Sequence, residues 1–391
     1  MSDVSIIVST TLTSNLIRGK LLPLVELPEV REIILVQDDP APRMPKVRSA
    51  ALGPARRGRL VHVVFRVMVL CIEILRRRPS VVMGIYMMPH GLIAYLLGRL
   101  MGRRVCIHVI GGPREVIDGG YWNHEVRRPN KHLERLYLEV LRRADLVMVV
   151  GSQTKKYLAS HGVSPERIHF MSSKIDARRF RPTSRAHRDY DLILAARLIR
   201  LKRVDLFLRI VADLKLRHPH IRAAVLGDGP LRRDLEQLAK SLGVGDHVEF
   251  LGFHEQTQDY YSRAKVFVLT SSTEGLSLAM LEAMACGLPA VVPAVGDLAD
   301  VVRDGVTGYL IEDNGQEAVV QKAFVAALDH LLEHAELRCT LGENARSTIL
   351  HGYTVEDGAR SWRTILRENL NPQFQIADGR EPIVTSLSHD R

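Results

Sequence analysis

Short apolar runs of strand type alternate with segments of helical period along almost the whole chain. In the first half the runs are VSIIVS (4–9), EIILVQ (32–37), SVVMGIY (80–86), RVCIHVI (104–110) and DLVMVVG (145–151), with helical patterns between them, notably over 60–77 and 131–143. The pattern then restarts with DLILAAR (191–197), IRAAVLG (221–227), HVEFLG (247–252), KVFVLTS (265–271) and LPAVVPA (288–294), spaced by helices near 203–217, 231–242 and 277–286. Alternation of this kind, twice over, predicts an α/β protein made of two doubly wound parallel sheets. The stretch 174–191 is polar, contains proline and lacks apolar periodicity, so it marks the boundary. The expected organisation is a first domain over 1–178, a second over 188–353, a last helix over 354–370 and a polar, disordered tail over 371–391.

Two segments complicate the pattern. Residues 79–98 carry no formal charge over twenty positions, the length of a membrane span, but Pro89 and His90 interrupt them. A buried strand over 81–86, a loop and a helix over 91–99 explain the run better than a span does. Helix 60–77 places Arg59, His62, Arg66 and Glu73 on one narrow stripe of an otherwise apolar cylinder. Two readings stay open, a core helix with a thin wet edge, which is preferred, and an interfacial helix lying on lipid. The arginines at 76–78 would complement the helix dipole in either case.

A length of 391 residues with 46% hydrophobic content suffices for two sizeable cores. Cys71, Cys106, Cys286 and Cys339 are scattered without a C-x-x-C pair, which argues against a disulfide framework or zinc site and fits a reducing compartment. No basic stretch followed by a long apolar run opens the chain, so the expected location is the cytoplasm, with peripheral attachment to the inner membrane face as its variant. Charge is uneven: residues 1–180 hold 29 Lys and Arg against 15 acids, and residues 181–391 hold 25 against 29. The first half therefore either faces something anionic, such as a membrane surface, or is simply a soluble Arg-rich face. Aromatic content of 5% and the lack of a helix-turn-helix signal argue against nucleic acid as a partner.

Candidate chemistry gathers in TEGLSLAMLEAMACG (273–287). A strand ending at Ser271 gives way to a short loop, and a helix starts near Leu276 or Ser277 and stops at Gly287 before Pro289. A helix N-terminus at this edge of a parallel sheet is where α/β proteins hold phosphorylated ligands, so the N–H groups of Gly275, Leu276 and Ser277 could cradle a diphosphate. Glu282 shares a helical stripe with Leu278, Leu281 and Ala285. A buried carboxylate needs donors: the vicinal hydroxyls of a ribose would serve, and so would water or a structural arginine at a helix rim. Arg197, at the end of the second domain's first strand, and Lys202 should lie on the same edge, where two cations would stabilise a leaving pyrophosphate. Read differently, Arg200, Lys202 and Arg203 form a solvated loop. The turn VLGDGP (225–230), with Gly227, adds a third strand end there.

Taken in order, ARLIRLK (196–202), VLGDGP (225–230), VEFLGF (248–253), EGLSLAMLEAMACGLPAVV (274–292) and DGVTGYLI (304–311) resemble glycosyltransferase family 4, the retaining GT-B enzymes. The resemblance is strong over roughly 190–355. It implies two Rossmann-like domains facing a central cleft, a first domain for the acceptor and a second for a nucleoside-diphosphate sugar, UDP- or GDP-linked. It further implies that Glu274 contacts the sugar, Glu282 the ribose diol, and Arg197 and Lys202 the diphosphate, with no metal or other cofactor. Departures are Ala196 and Arg203 where glycines are frequent, Leu276-Ser277 in place of Phe-Gly, STTLTSN (9–15) in place of a Gly-rich loop, and Ser173-Lys174-Ile175-Asp176 in the hinge segment. In RVCIHVIGGPRE (104–115) the family's substrate-facing His would be His108, with Ile110 as the competing register, and Gly111 and Gly112 would bring the acceptor side close. An ordinary strand-end histidine with a structural bond explains His108 as well.

The expected function is retaining transfer of a sugar to an acceptor hydroxyl, with a lipid-linked saccharide of cell-envelope or surface polysaccharide synthesis as the acceptor class. A GT-B sugar-nucleotide epimerase is the alternative, distinguished by epimerised donor in the absence of acceptor. A non-catalytic membrane-associated scaffold is the other, and it leaves the acid and base set in the second half unexplained.

Overall fold

The fold is described from a computed structural model in which residues 4–38, 40, 42–51, 59–118, 129–183 and 188–370 are placed. The tail expected to be disordered, 371–391, lies outside the described residues. The first half folds as β1 (Val4–Ser9), α1 (Ser14–Val25), β2 (Val30–Gln37), β3 (Val47–Ala51), α2 (Arg59–Arg77), β4 (Val81–Ile85), α3 (Leu92–Leu100), β5 (Arg104–Val109), α4 (Pro113–Ile117), α5 (Lys131–Arg143), β6 (Leu146–Val149), α6 (Ser152–Ser160) and β7 (Ile168–Phe170). Its strands form a seven-stranded parallel sheet in the order β3-β2-β1-β4-β5-β6-β7. The second half holds β8 (Tyr190–Ala195), α7 (Val204–Lys215), β9 (Ala223–Leu226), α8 (Arg232–Ser241), β10 (Val248–Gly252), α9 (Gln258–Tyr261), β11 (Ala264–Val268), α10 (Leu278–Ala285), β12 (Ala290–Pro293), β13 (Gly308–Ile311), α11 (Glu317–Glu333) and α12 (Ala335–Leu350). These strands make a six-stranded parallel sheet, β10-β9-β8-β11-β12-β13.

Strand order reverses beside β1 in the first sheet and beside β8 in the second, and the loops leaving these strands open toward one another. Both sheets are covered on both faces, which is why their strands read as continuous apolar runs rather than alternating ones. Ile6, Leu35 and Met83 pack on one side of the first sheet and Ile7, Ile34 and Val82 on the other. The second sheet has the same double core, with Leu192, Val225 and Phe324 on one side and Ile193, Phe267 and Met284 on the other. Each such buried side chain contributes about 1.5–3 kcal/mol.

A last helix, α13 (Val355–Leu370), packs against α1 and adds Trp362, Ile365 and Leu366 to the first-domain core. Its path back is pinned where Ile175 N–H donates to Tyr353 O (2.7 Å) and Val355 N–H to Ile175 O (3.1 Å). The uncharged run 79–98 becomes β4, a wide turn over 87–91 and α3. Among the described residues, no helix is long and apolar enough to cross a membrane.

Helix α2 corrects the preferred expectation for 60–77. Of the polar stripe, His62, Arg66 and Glu73 form no wet edge but face the protein, and the Arg59 side chain lies outside the described residues. Arg66 is 2% exposed and donates to Thr10 O (3.1 Å) and Val36 O (3.2 Å) while pairing with Asp38. His62 reaches the same Asp38 carboxylate at 2.7 Å, and Glu73 is mostly covered beside Arg77. The outward side carries Val61, Val64, Phe65, Met68, Ile72 and Leu75, all exposed.

Candidate functional site

The loops at the carboxyl ends of the central strands enclose one cavity of about 470 Å³ between the domains, in the size range of small-ligand sites. Arg197 follows β8, Gly227 follows β9, and the segment Thr273–Ser277 links β11 to α10; all line the cavity, as do Lys202 and Glu282. From the first domain come Asn15, Lys20, Tyr86, Ile110 and Gly111. Thus Arg197, Lys202, Gly227, Glu274, Gly275, Leu276, Ser277, Glu282 and Gly111, singled out in the sequence, surround one space.

Helix α10 begins at Ser277, whose Oγ accepts from Met280 N–H at 3.3 Å. It is buried nearly all round, and Glu282 is 4% exposed. The carboxylate accepts from Thr257 Oγ1 (3.0 Å) and Tyr261 OH (3.1 Å), both at Oε2, and Oε1 accepts from no donor among the described residues. Burial pushes the Glu282 carboxyl up to about 7 against the pull of these two bonds and of Arg179. Neither a wetted rim nor a direct arginine pair holds it.

Lys202 sits in the turn 200–202 and forms an ion pair with Glu274, itself 8% exposed. The turn is not a loose solvated loop. Thr270 Oγ1 donates to the carbonyls of Lys202 and Arg203 at 2.9 Å each, and Ser272 N–H donates to Leu201 O at 2.9 Å. Arg203 is directed away, to Asp313 at 2.8 Å.

Gly275 also has a role in the contact between the domains. A Cβ there would lie 2.0 Å from the carbonyl oxygen of Ile110, so its bareness admits the first domain's loop. Gly112 does not line the cavity but packs on the same loop, where a Cβ would lie 3.0 Å from Glu274 O. The domains are further joined by Asp297, which accepts from Gln153 N–H (2.8 Å), Thr154 N–H and Thr154 Oγ1 at the start of α6, while its own N–H donates to Gly275 O (3.0 Å). A second-domain carboxylate thus caps a first-domain helix and ties that cap to the 274–277 loop.

His108 is placed differently from its expected role. It is 2% exposed and absent from the cavity wall, where Ile110 and Gly111 stand instead. Ile110 lies two positions after His108, and β5 ends between them at Val109, so the histidine remains inside the sheet. Its Nε2 lies 3.1 Å from Lys20 Nζ and 2.8 Å from Met171 O. Burial, then the nearby Lys20, lowers its pKa well below the usual value. Lys20, which does reach the cavity, is itself held well below the usual lysine range by burial and by Lys174.

Four participants were missed in the sequence. Glu115 accepts from Met87 N–H (2.7 Å), Ile110 N–H (2.8 Å) and Gly111 N–H (2.6 Å), and so fixes the first-domain loop; burial pushes it up to about 7. Its signal was present: Gly112-Pro113-Arg114-Glu115 places Pro at the first helical position and Glu at the third, from which a carboxylate reaches back to loop amides. Lys20, within an apolar helix, and the Thr257–Tyr261 pair, more than twenty residues from Glu282, carried no spacing that linked them to the site. Among the described residues no group of three His, Cys, Asp or Glu stands close enough to hold a metal ion.

Two family models divide the chain between them. Residues 28–173 match a glycosyl transferase 4-like domain and residues 176–348 match the glycosyl transferases group 1 domain. The chain is 35% identical over 202 residues to D-inositol 3-phosphate glycosyltransferase 1 of Catenulispora acidiphila, covering 46% of this chain and 48% of the relative, so it spans about half of that relative's length. It is 26% identical over 306 residues to N-acetyl-alpha-D-glucosaminyl L-malate synthase of Bacillus anthracis, covering 73% and 75%. The crystal structure of Anabaena HepE in complex with UDP-glucose shares the fold with a TM-score of 0.74 at 15% identity, covering 93% of this chain and 99% of that one. With one family model on each domain and the two-sheet GT-B architecture across both, the chain belongs to the group 1 glycosyltransferases of family 4 type.

Proposed function

We propose that the protein transfers a sugar from a nucleoside-diphosphate sugar to an acceptor hydroxyl with retention at the anomeric carbon. The observation that carries the reading is the joint placement of Glu282, Lys202, Arg197 and the 275–277 segment around one interdomain cavity. In this reading Glu282 Oε1 takes the ribose hydroxyls, and the Thr257 and Tyr261 bonds hold the other oxygen still. Arg197, Lys202 and the backbone N–H groups before α10 receive the diphosphate. Because these donors are fixed beforehand, they stabilise the charge that grows as the glycosidic C–O bond breaks. Glu274, held by Lys202, presents its carboxylate to sugar hydroxyls.

Retention follows from attack on the face that the diphosphate leaves, with the departing oxygen taking the acceptor proton. Metal independence belongs to the same proposal, since lysine, arginine and amides supply the countercharge. The acceptor enters from the first-domain side, past Gly111 and Lys20, and a lipid-linked saccharide is the proposed class. The test is a panel of UDP- and GDP-sugars with saccharide acceptors, with the product's anomeric configuration read by NMR. Transfer with retained configuration supports the reading; inverted product refutes the retaining step, and epimerised donor without acceptor refutes transfer.

A further inference from the structure

Helix α2 is unusual in its orientation. A helix lying on a sheet normally buries its apolar stripe and leaves its polar residues in water. Here Arg66 and its partners His62 and Asp38 occupy the protein side together with Leu70 and Ile74. The solvent side shows only apolar side chains: Val61, Val64, Phe65, Met68, Ile72 and Leu75 are 53%, 61%, 41%, 47%, 42% and 65% exposed. They run for about 21 Å along the helix at its rise per residue. Neighbouring α3 packs against α2 and extends the face with Leu96 and Leu100, 63% and 81% exposed. Contiguous apolar surface on this scale marks a contact site rather than ordinary exposure.

The rim identifies the occupant. Arg76 and Arg78 are exposed at the C-terminal end of α2 and make no ion pair among the described residues, and Arg104 is exposed beside Leu100, where Arg99 pairs with Asp145 at 3.4 Å. The acid on α2, Glu73, is mostly covered and spent on Arg77. A protein interface carries a mixed polar rim with hydrogen-bonding groups, whereas an apolar helix face bordered mainly by cations, with the unpaired Arg76 and Arg78 at its end, fits the headgroup and acyl boundary of an anionic bilayer. The excess of cations over residues 1–180 has the same sign.

We infer that the outward face of α2, extended by α3, docks the protein on an anionic lipid bilayer, with Val64, Phe65, Met68 and Ile72 entering the acyl boundary and Arg76 and Arg78 meeting lipid phosphates. The inference is independent of the donor-site reading, and it deepens the proposal of a lipid-linked acceptor by naming the surface on which such an acceptor is met.

The test uses the full chain with vesicles of phosphatidylcholine alone and of phosphatidylcholine with phosphatidylglycerol. Wild type should co-sediment with the anionic vesicles, and salt should weaken the binding. The triple variant Val64→Gln/Met68→Gln/Ile72→Gln should bind at least tenfold more weakly. Arg76→Gln/Arg78→Gln should lose roughly fivefold per arginine toward anionic vesicles. Thermal stabilisation by UDP or GDP serves as the control for folding and should be unchanged in both variants, so loss of vesicle binding with an intact nucleotide response supports the inference whatever the transfer assay gives. Wild type that ignores anionic vesicles at low salt overturns it, as does a triple variant that binds like wild type. Equal binding to neutral vesicles overturns the role of the arginines, and a dimer in sedimentation that the triple variant dissociates reassigns the face to a second copy of the chain.

Discussion

Replacing Glu282 by glutamine separates the structural from the ligand-binding demands on this buried acid. The carboxyl sits at about 7 rather than 4.5 because burial disfavours its charge. Held there, it costs the folded state about 3 kcal/mol at pH 8, relative to a carboxyl that titrates normally. The sign follows from linkage: a carboxyl raised on folding contributes stability that is complete below about pH 4.5 and lost as pH rises through about 7. Glutamine keeps a carbonyl acceptor for Thr257 and Tyr261 but cannot ionise. Glu282→Gln should therefore remove this part of the pH dependence and narrow the fall in Tm between pH 5 and pH 8.5 by several degrees. Glu115, also pushed up to about 7, keeps its own share of the slope in the variant. Nucleotide binding should move the opposite way. Replacing a carboxylate acceptor for ribose hydroxyls by a neutral amide removes about 2 kcal/mol, roughly 30-fold in affinity at pH 8.5. At pH 5.5 the wild-type carboxyl is mostly protonated and the two proteins should differ only a few-fold. Differential scanning fluorimetry and titration calorimetry with UDP or GDP across this range provide the measurements. Parallel pH profiles for both proteins, or undiminished affinity of the variant at pH 8.5, would refute the assignment of Glu282 to the ribose.

Lys202→Ala should lower kcat by roughly 10²–10³-fold, the scale of one lost donor to developing charge, in a protein whose circular dichroism and Tm stay close to wild type. Gly275→Ala should act on closure rather than on donor contact: its methyl meets Ile110 O at 2.0 Å, so small-angle scattering should register a more open molecule, with kcat falling much more than nucleotide affinity. Equal losses in both would point to a direct clash with the donor instead. EDTA should leave turnover unchanged, because protein cations and amides supply the countercharge; a loss restored by Mg²⁺ or Mn²⁺ would contradict that part of the proposal.

Ten of the thirteen strands and the parallel pairing within both sheets were legible in the sequence because buried parallel strands leave dense apolar runs. Helix α1 was not, since Gly19 and Pro23 blur its period, nor was the edge strand β3, whose VRSAA has little apolar character. In the second domain a single loop and helix deliver the 274–282 segment, and Arg197 and Lys202 flank the neighbouring strand end, so local spacing sufficed to gather them. The first-domain side depended on packing between distant segments. His108 had the right residue type near the right place, but two positions of strand direction put its ring against Lys20 and Met171. The α2 helix shows the limit of pattern reading: periodicity located the polar stripe, but only the buried Arg66–Asp38 pair reveals which side faces the sheet.

The most direct test of the donor site is thermal stabilisation across UDP, GDP and their sugar conjugates, since a ligand that binds the folded state raises Tm by mass action. At least one conjugate at 100 times its Kd should raise Tm by several degrees in wild type, with most of that rise lost in a Lys202→Ala/Glu282→Gln double variant. No stabilisation by any member of the panel, or an equal rise in the double variant, would contradict the placement of a nucleotide-sugar site between these two domains.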